Sequence, residues 1–208
     1  MKKIFVLLFI SISISGYSQN PLEKVLKTYF RTHPFEIRFS SFIKSLQNDP
    51  WLTIDEFYRR TDSSFFFLAG TYKNFNPFRV TPKEFRLILA EEEIIHSDSL
   101  KTHDTIMNLQ LSCITDTGIV NGKLAQKEFT RFHNNQANYF YNKTYDVQHD
   151  KGEVIAEVYN YFVYPLSIAP VTIAWGRLTG NKYAFTITLR FKVKENAADF
   201  ILAPREHL

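Results

Sequence analysis

Asp116 is the aspartate whose neighbours in sequence suggest a catalytic role. Asp116, Thr117 and Gly118 follow the apolar run that ends at Ile114. Two aspartates that face each other share one proton, so that one activates a water molecule while the other polarises a carbonyl group. Because the chain contains this triplet once, such chemistry would require a homodimer that brings Asp116 of both subunits together.

The triplet resembles the active-site sequence of aspartic proteases. Residues 174–176, Ala-Trp-Gly, faintly resemble the apolar pair and glycine that occur later in proteases of the retroviral type. The resemblance implies a homodimeric hydrolase that uses Asp116. Its neighbours Thr115 and Ile119 depart from the family's pattern, in which an apolar residue precedes the triplet and a small residue follows it.

The same three residues are also typical of a tight turn after a strand, because Asp and Gly suit turn conformations. Asn121 and Gly122 extend this turn-rich loop. We therefore favour a turn at Asp116 and keep the aspartic-type hydrolase as an alternative.

A second candidate site contains acidic residues and histidines. Glu93 and His96 have the Glu-x-x-His spacing that places both side chains on one face of a helix, and Asp98, His103 and Asp104 follow. Two-metal sites on packed helices use this pair twice, whereas the chain has it once. We favour a solvated acidic loop, and we predict no metal site and no cofactor.

The single cysteine does not indicate nucleophilic chemistry. Cys113 lies in an alternating apolar run and has no basic neighbour in sequence that would lower its pKa. The sequence predicts a buried, inert thiol. No intramolecular disulfide can form, so the fold depends on its core.

Aromatic residues make up 16% of the chain, which is the feature that points most directly to binding. Tyr159 and Tyr161 share one side of a predicted strand with Val163, opposite Val158 and Phe162. If the side with Val158 and Phe162 is buried, the tyrosine side is a contact surface, because tyrosine suits places where one end of the ring stays wet. The sequence therefore offers Tyr159 and Tyr161 as candidate binding residues.

Residues 1–18 have the pattern of a cleaved secretory signal peptide. Lys2 and Lys3 give a positive start, an apolar stretch follows, and Gly16 and Ser18 supply small residues for cleavage. The stretch is shorter than the roughly 20 apolar residues that span a bilayer. We expect export to the periplasm or the medium, with a mature chain that begins near Gln19 and has no transmembrane anchor.

Residues 19–208 are expected to form a single domain, since about 190 residues suffice to bury a core. The formal charge falls from +4 to +2 when the two signal-peptide lysines leave, and the remaining charges are spread evenly along the chain. Nucleic-acid binding would require clustered lysine and arginine, so we predict no nucleic-acid partner.

The elements that would position these residues follow from periodicity. Helices are predicted to open at Pro21 and Pro34, a short third helix is predicted from a capping box of Thr53 and Glu56, and a later helix lies between 122 and 140. Alternating or apolar runs predict strands over 65–72, 85–90, 107–113, 153–163, 171–178 and 183–194. The prediction is an α+β fold, with N-terminal helices and one later helix packed on a mainly antiparallel β-sheet.

The functional expectation is an exported cell-envelope or secreted protein that acts as a non-catalytic binding or interaction domain. Its partner would be an unknown protein or a small-molecule ligand. Two alternatives stay open: an accessory component of an envelope assembly, and the homodimeric aspartic-type hydrolase.

Overall fold

The computed structural model describes residues 21–35, 37–59, 66–91, 105–163, 169–194 and 197–200. The helices are α1 (Pro21–Tyr29), α2 (Phe39–Gln47) and α3 (Ile119–Gln136). The strands are β1 (Leu52–Arg59), β2 (Phe66–Tyr72), β3 (Glu84–Glu91), β4 (Thr105–Ile114), β5 (Asn142–Asp150), β6 (Glu153–Phe162), β7 (Val171–Arg177), β8 (Tyr183–Lys194) and β9 (Ala197–Phe200). Within these ranges, no helix combines the length and apolar character needed to cross a bilayer.

The nine described strands form one antiparallel sheet. Their order is β1-β2-β3-β4-β8-β7-β6-β5, and β9 pairs with the end of β8. The predicted hairpin between β7 and β8 is present, and its turn places Gly180 and Asn181 at positive φ. The α+β fold with a mainly antiparallel sheet is therefore confirmed.

All three helices pack on one face of the sheet. On β8, Phe185, Ile187 and Phe191 point to this face and are buried, while the intervening threonines point to the other face. Phe39 of α2 lies 6.2 Å from Phe191 between ring centroids, and Phe132 of α3 lies 6.5 Å from Phe185. The core therefore lies between the helices and this face, which we call the helix face.

Aromatic rings fill much of this core. Phe185 is 1% exposed and meets Phe78 at 5.0 Å with a near-perpendicular ring, while Tyr29 of α1 meets Phe132 at 5.2 Å. Burying one such ring contributes about 1.5–3 kcal/mol, and edge-to-face pairs add to that. Ring packing thus supplies the cohesion that a chain with one cysteine cannot obtain from disulfides.

The prediction of a short helix at Thr53 and Glu56 is wrong, because this segment is strand β1. Its backbone pairs with β2 from Leu52 opposite Tyr72 to Arg59 opposite Phe66. Thr, Ile, Phe and Tyr favour strands, and a strand next to β2 satisfies backbone groups that a short helix would leave open. The capping-box spacing was coincidental, and a bulge between Ile54 and Glu56 interrupts the strand instead.

The second helix begins at Phe39, five residues after the predicted start at Pro34. The backbone of Arg38 is extended, with φ −64° and ψ 137°, and it forms a β-bridge with Ala197. A residue held in that bridge cannot adopt helical dihedrals, so α2 starts only after it.

Two further strands, in addition to β1, escaped prediction. Strand β5 is exposed along nearly its whole length and lacks the apolar alternation that marks a half-buried strand. Strand β9 is only four residues long. Strand β5 lies at the edge of the sheet and is joined to β6 by a hairpin turn at Lys151 and Gly152, both at positive φ.

Gly70 allows β1 to approach β2 closely. A Cβ atom at this position would lie 2.7 Å from the backbone oxygen of Thr53 and 3.0 Å from the Leu52 side chain. We expect Gly70→Ala to lower the free energy of unfolding by about 1–3 kcal/mol, because the clash is with backbone that cannot move without disturbing the strand pair. Urea unfolding followed by circular dichroism measures this change.

Thr53→Ala is the matched control, because Thr53 is exposed on the facing strand. Its effect should stay below about 1 kcal/mol. Equal stability of the two variants would show that the β1–β2 approach is looser than described.

Candidate functional site

Asp116 lies in a surface turn between β4 and α3. Its side chain is 60% exposed, and Oδ1 accepts hydrogen bonds from the backbone N–H of Thr117 at 2.9 Å and from Lys83 Nζ at 3.3 Å. The Thr117 N–H first, and then Lys83, hold the pKa of Asp116 below its usual value. An aspartic dyad needs one carboxyl group that keeps its proton, whereas this environment favours the ionised form. Asp116 therefore lies in a short loop after β4, as the sequence favoured, whereas Asn121 and Gly122, which were predicted to extend that loop, belong to α3.

The second candidate site of the sequence lies outside the described residues. It consists of Glu93, His96, Asp98, His103 and Asp104. Among the residues that are described, no group of three or more His, Cys, Asp or Glu side chains is arranged to hold a metal ion.

Cys113 is buried on the helix face, as predicted, with 1% of its surface exposed. Burial first, and then the negative charge of Glu128, raise the pKa of its thiol to about 12. The thiol is therefore protonated and inaccessible, which agrees with an inert core residue.

Tyr161 does not belong to an exposed contact surface. Tyr161 points to the helix face and is completely buried, packed against Phe132 at 5.9 Å and Phe140 at 4.9 Å between ring centroids. The side that carries Tyr159 and Tyr161 is thus the inward side of β6. The reason is that α3 covers this face, which alternation along one strand cannot reveal.

Tyr159, the other candidate binding residue, is only half-buried because it lies where α3 leaves the sheet uncovered. Its ring is stacked against three others: His133 at 4.1 Å, Tyr145 at 4.6 Å and Phe129 at 5.2 Å between centroids. His133 and Phe129 come from α3, and Tyr145 comes from β5. Tyr145 is 46% exposed, so it is the outermost ring of the stack.

A carboxylate fixes the rim of this stack. Glu157 of β6 accepts hydrogen bonds from the Tyr145 hydroxyl through Oε1 and from the indole N–H of Trp175 through Oε2. The side-chain amide of Gln126 on α3 also donates to Oε2, at 3.1 Å. One side chain thereby joins β5, β7 and α3. We call Tyr145, Tyr159, His133, Phe129 and Glu157 the tyrosine stack.

The hydroxyl groups in the stack are held in their neutral forms. The hydrogen bond to Glu157, followed by desolvation, raises the pKa of Tyr145 to about 12. Burial raises the pKa of Tyr161, whose hydroxyl lies 3.0 Å from Nδ1 of His133. Burial and then the charge of Lys143 lower the pKa of His133, so its ring is mainly neutral at pH 7. At pH 7 the phenols of Tyr145 and Tyr161 are therefore protonated beside a mainly neutral imidazole.

The helix-free face of the sheet has a different character. There Arg190 donates to Thr172 Oγ1 at 2.8 Å, Thr172 donates to Asn160 at 2.8 Å, and Ser112 and Thr186 hydroxyls lie 3.0 Å apart. These side chains bond to one another across neighbouring strands. They form a hydrogen-bonded polar surface, on which Arg86 Nε and Asn108 Oδ1 are buried without a hydrogen-bond partner.

Sequence reasoning found Tyr159 but missed Tyr145, Glu157, Trp175 and His133. The signal that was available is the turn at Lys151 and Gly152, since a two-residue turn with positive φ predicts a hairpin. Counting back from that turn brings Tyr145 close to Tyr159, although the bulge at Gln148 and His149 shifts the register by one residue.

Glu157→Gln tests the carboxylate. An amide offers one acceptor oxygen in place of two, so the Tyr145 hydroxyl or the Trp175 indole N–H is left without a partner. We expect the free energy of unfolding to fall by about 1–3 kcal/mol, with a change in the emission of Trp175, in urea unfolding monitored by tryptophan fluorescence.

Glu153→Gln is the control, because Glu153 lies exposed on the same strand. It should leave both readouts near those of the unaltered protein. A loss of stability that is the same in both variants would contradict the role of Glu157.

Comparisons of this chain with protein-family models, with curated proteins and with solved structures found no match.

Proposed function

We propose that this protein is an exported, non-catalytic binding protein that holds its ligand against the outer face of Tyr145. The observation that carries the proposal is the tyrosine stack: an exposed ring is backed by Tyr159 and fixed through its hydroxyl to Glu157. A binding surface of this kind loses little conformational entropy when a ligand arrives, because its side chains are already immobilised.

Binding is favoured over catalysis by the state of the ionisable groups in the described part of the chain. The Glu157 carboxylate is occupied by three donors, and the Tyr145 phenol stays protonated at neutral pH. The Cys113 thiol is buried, and Asp116 is ionised in an exposed turn. The Tyr145 phenol, the Cys113 thiol and the Asp116 carboxylate each lack either access to a ligand or a pKa near 7, which a general acid or base requires.

The chemistry of the stack suits a ligand that has a flat apolar face and polar groups at its margin, such as a sugar ring. The phenol ring provides the flat apolar contact, and Tyr is common where a ligand must be gripped beside water. Lys143 lies two residues from Tyr145 on the same side of β5 and is exposed, and Gln126 lies beside Glu157. Both supply hydrogen-bond donors for hydroxyl groups.

Tyr145→Ala tests the ligand surface. With soluble oligosaccharides as probes, we expect the unaltered protein to give saturation-transfer NMR signals, and the variant to bind at least tenfold more weakly. The reason is that loss of an aromatic anchor costs about 2 kcal/mol or more.

Tyr58→Ala is the matched control, because Tyr58 is an exposed tyrosine of β1, at the opposite end of the sheet. Its affinity for the same oligosaccharides should be unchanged. Absence of any oligosaccharide signal that depends on Tyr145 would refute the proposed ligand class.

Export is supported by the pattern of residues 1–18, a positive start followed by an apolar stretch and small residues. The periplasm and the medium are both compatible with that pattern. The lone cysteine is also compatible with an oxidising compartment, since it is buried.

The second candidate function is an accessory component of an envelope assembly. The observation that favours it is the exposure of β5, whose only bonded neighbour among the described strands is β6. An edge strand of nine residues offers backbone groups to a strand of another protein.

Native mass spectrometry of the protein purified from its own cells separates these possibilities. We expect the mass of a chain that begins near Gln19, with a retained small ligand. A stoichiometric protein partner in place of a small ligand would favour the accessory role, and a chain that retains residues 1–18 would contradict cleavage.

A further inference from the structure

An apolar tip lies at the opposite side of α3 from the tyrosine stack, where the helix begins. Ile119 and Val120 are 74% and 72% exposed, more than any other large apolar side chain in the described ranges. Leu178, in the turn between β7 and β8, is 41% exposed and lies at the same end of the strands as the start of α3. Large apolar side chains placed next to each other in water generally mark a contact surface.

Lysines surround these aliphatic side chains. Lys123 follows Ile119 by one helical turn and is exposed, and Lys83 reaches Asp116 at 3.3 Å, beside the first turn of α3. Lys182 lies close enough to lower the pKa of Asp116. Lys83 and Lys182 therefore lie beside one carboxylate, that of Asp116, and Glu84 points to the helix-free face of the sheet with Arg86. We call the set Ile119, Val120, Leu178, Lys83, Lys123 and Lys182 the α3 tip.

The geometry of α3 against the sheet keeps the tip in place. Gly122 packs so closely on Tyr183 that a Cβ atom would lie 2.8 Å from the ring, and Thr115 donates its backbone N–H to Tyr183 at 2.8 Å. The first turn of α3 therefore cannot rotate to bury Ile119 and Val120 against its own sheet. The exposed position of both side chains is imposed by the fold.

We propose that the α3 tip docks this protein on an anionic lipid bilayer. Ile119 and Val120 enter the boundary between headgroups and acyl chains, and the lysines lie at the level of the lipid phosphates. Aliphatic side chains flanked by lysine are typical of attachment to a membrane surface, since the lysine stems extend along the apolar layer while their charges stay at the headgroups.

The composition of the tip favours lipid over a protein partner. Protein interfaces are depleted in lysine, and their energetic centres are enriched in Trp, Tyr and Arg, whereas Val is under-represented. The tip contains none of the enriched types. Lysine instead gains about fivefold in partitioning per residue near an anionic bilayer.

Co-sedimentation with vesicles tests the proposal, using the mature chain. Vesicles of equimolar phosphatidylglycerol and phosphatidylcholine should bind the protein at about 0.1 M salt, and binding should weaken at about 1 M salt, where the screening length falls from about 10 Å to about 3 Å. Vesicles of phosphatidylcholine alone should bind it more weakly at about 0.1 M salt, and this difference should shrink at about 1 M salt.

Two double variants assign the binding to the tip. Ile119→Ser with Val120→Ser should weaken partitioning onto the anionic vesicles by about tenfold or more, because two exposed aliphatic side chains are lost. Lys123→Gln with Lys182→Gln should weaken it by a similar factor and reduce its dependence on salt.

The controls are matched changes on β1, on α2 and in the segment before α2, which adjoins the end of β8 opposite to Tyr183. Ile37→Ser with Tyr58→Ser removes exposed apolar side chains there, and Lys44→Gln with Arg59→Gln removes two exposed charges. Both should bind anionic vesicles as the unaltered protein does. Failure to sediment with anionic vesicles, or equal losses in tip and control variants, would overturn the proposal; neither result bears on ligand binding at Tyr145.

Discussion

The antiparallel register across eight strands is the constraint on which the rest of the molecule depends. One row of paired residues extends across all eight strands. It crosses the sheet on the helix face in the order Tyr145, Tyr159, Ile173, Ile187, Leu111, Leu87, Gly70, Ile54. A slip of one residue in any strand pair would move every side chain beyond it to the other face. The candidate site, the centre of the core and the close approach at Gly70 are thus parts of a single alignment.

Aromatic side chains both fill the core of this sheet and lie at its border. Phe85, Phe132 and Phe185 lie in the closed core beneath the helices together with Tyr29 and Tyr161, whereas Tyr159 and Tyr145 lie where the cover of α3 ends. At that border the Tyr159 ring packs on α3, and the hydroxyl of the exposed Tyr145 bonds to Glu157. The same packing that stabilises the domain without disulfides therefore also produces an exposed aromatic surface at its border.

Strands with strict alternation were predictable from sequence, and β8 is the clearest example, because each of its apolar residues meets the helix face. Strand β5 was not predictable, since Tyr145 and Val147 are almost its only apolar residues and pairing with β6 holds it in place.

Tyr159 was identified by residue type, but its orientation depends on which face α3 covers. Periodicity along one strand defines two faces and leaves open which of them is inside, and Val158 and Phe162 are as apolar as Tyr159 and Tyr161. Glu157 was missed for a related reason: its donors come from β5, β7 and α3, which only the folded chain brings together.

The edge position of β5 has a consequence for motion. Local opening costs least where backbone is exposed and bonded on one side only, and β5 meets both conditions among the described strands. When β5 frays, Tyr145 separates from Tyr159 while the core beneath α3 stays closed. A molecule that bridges β5 and α3 would suppress that fraying, so amide protons of β5 would exchange more slowly in its presence. Hydrogen exchange in the edge strand β5 would then measure the occupancy of the surface around Tyr145.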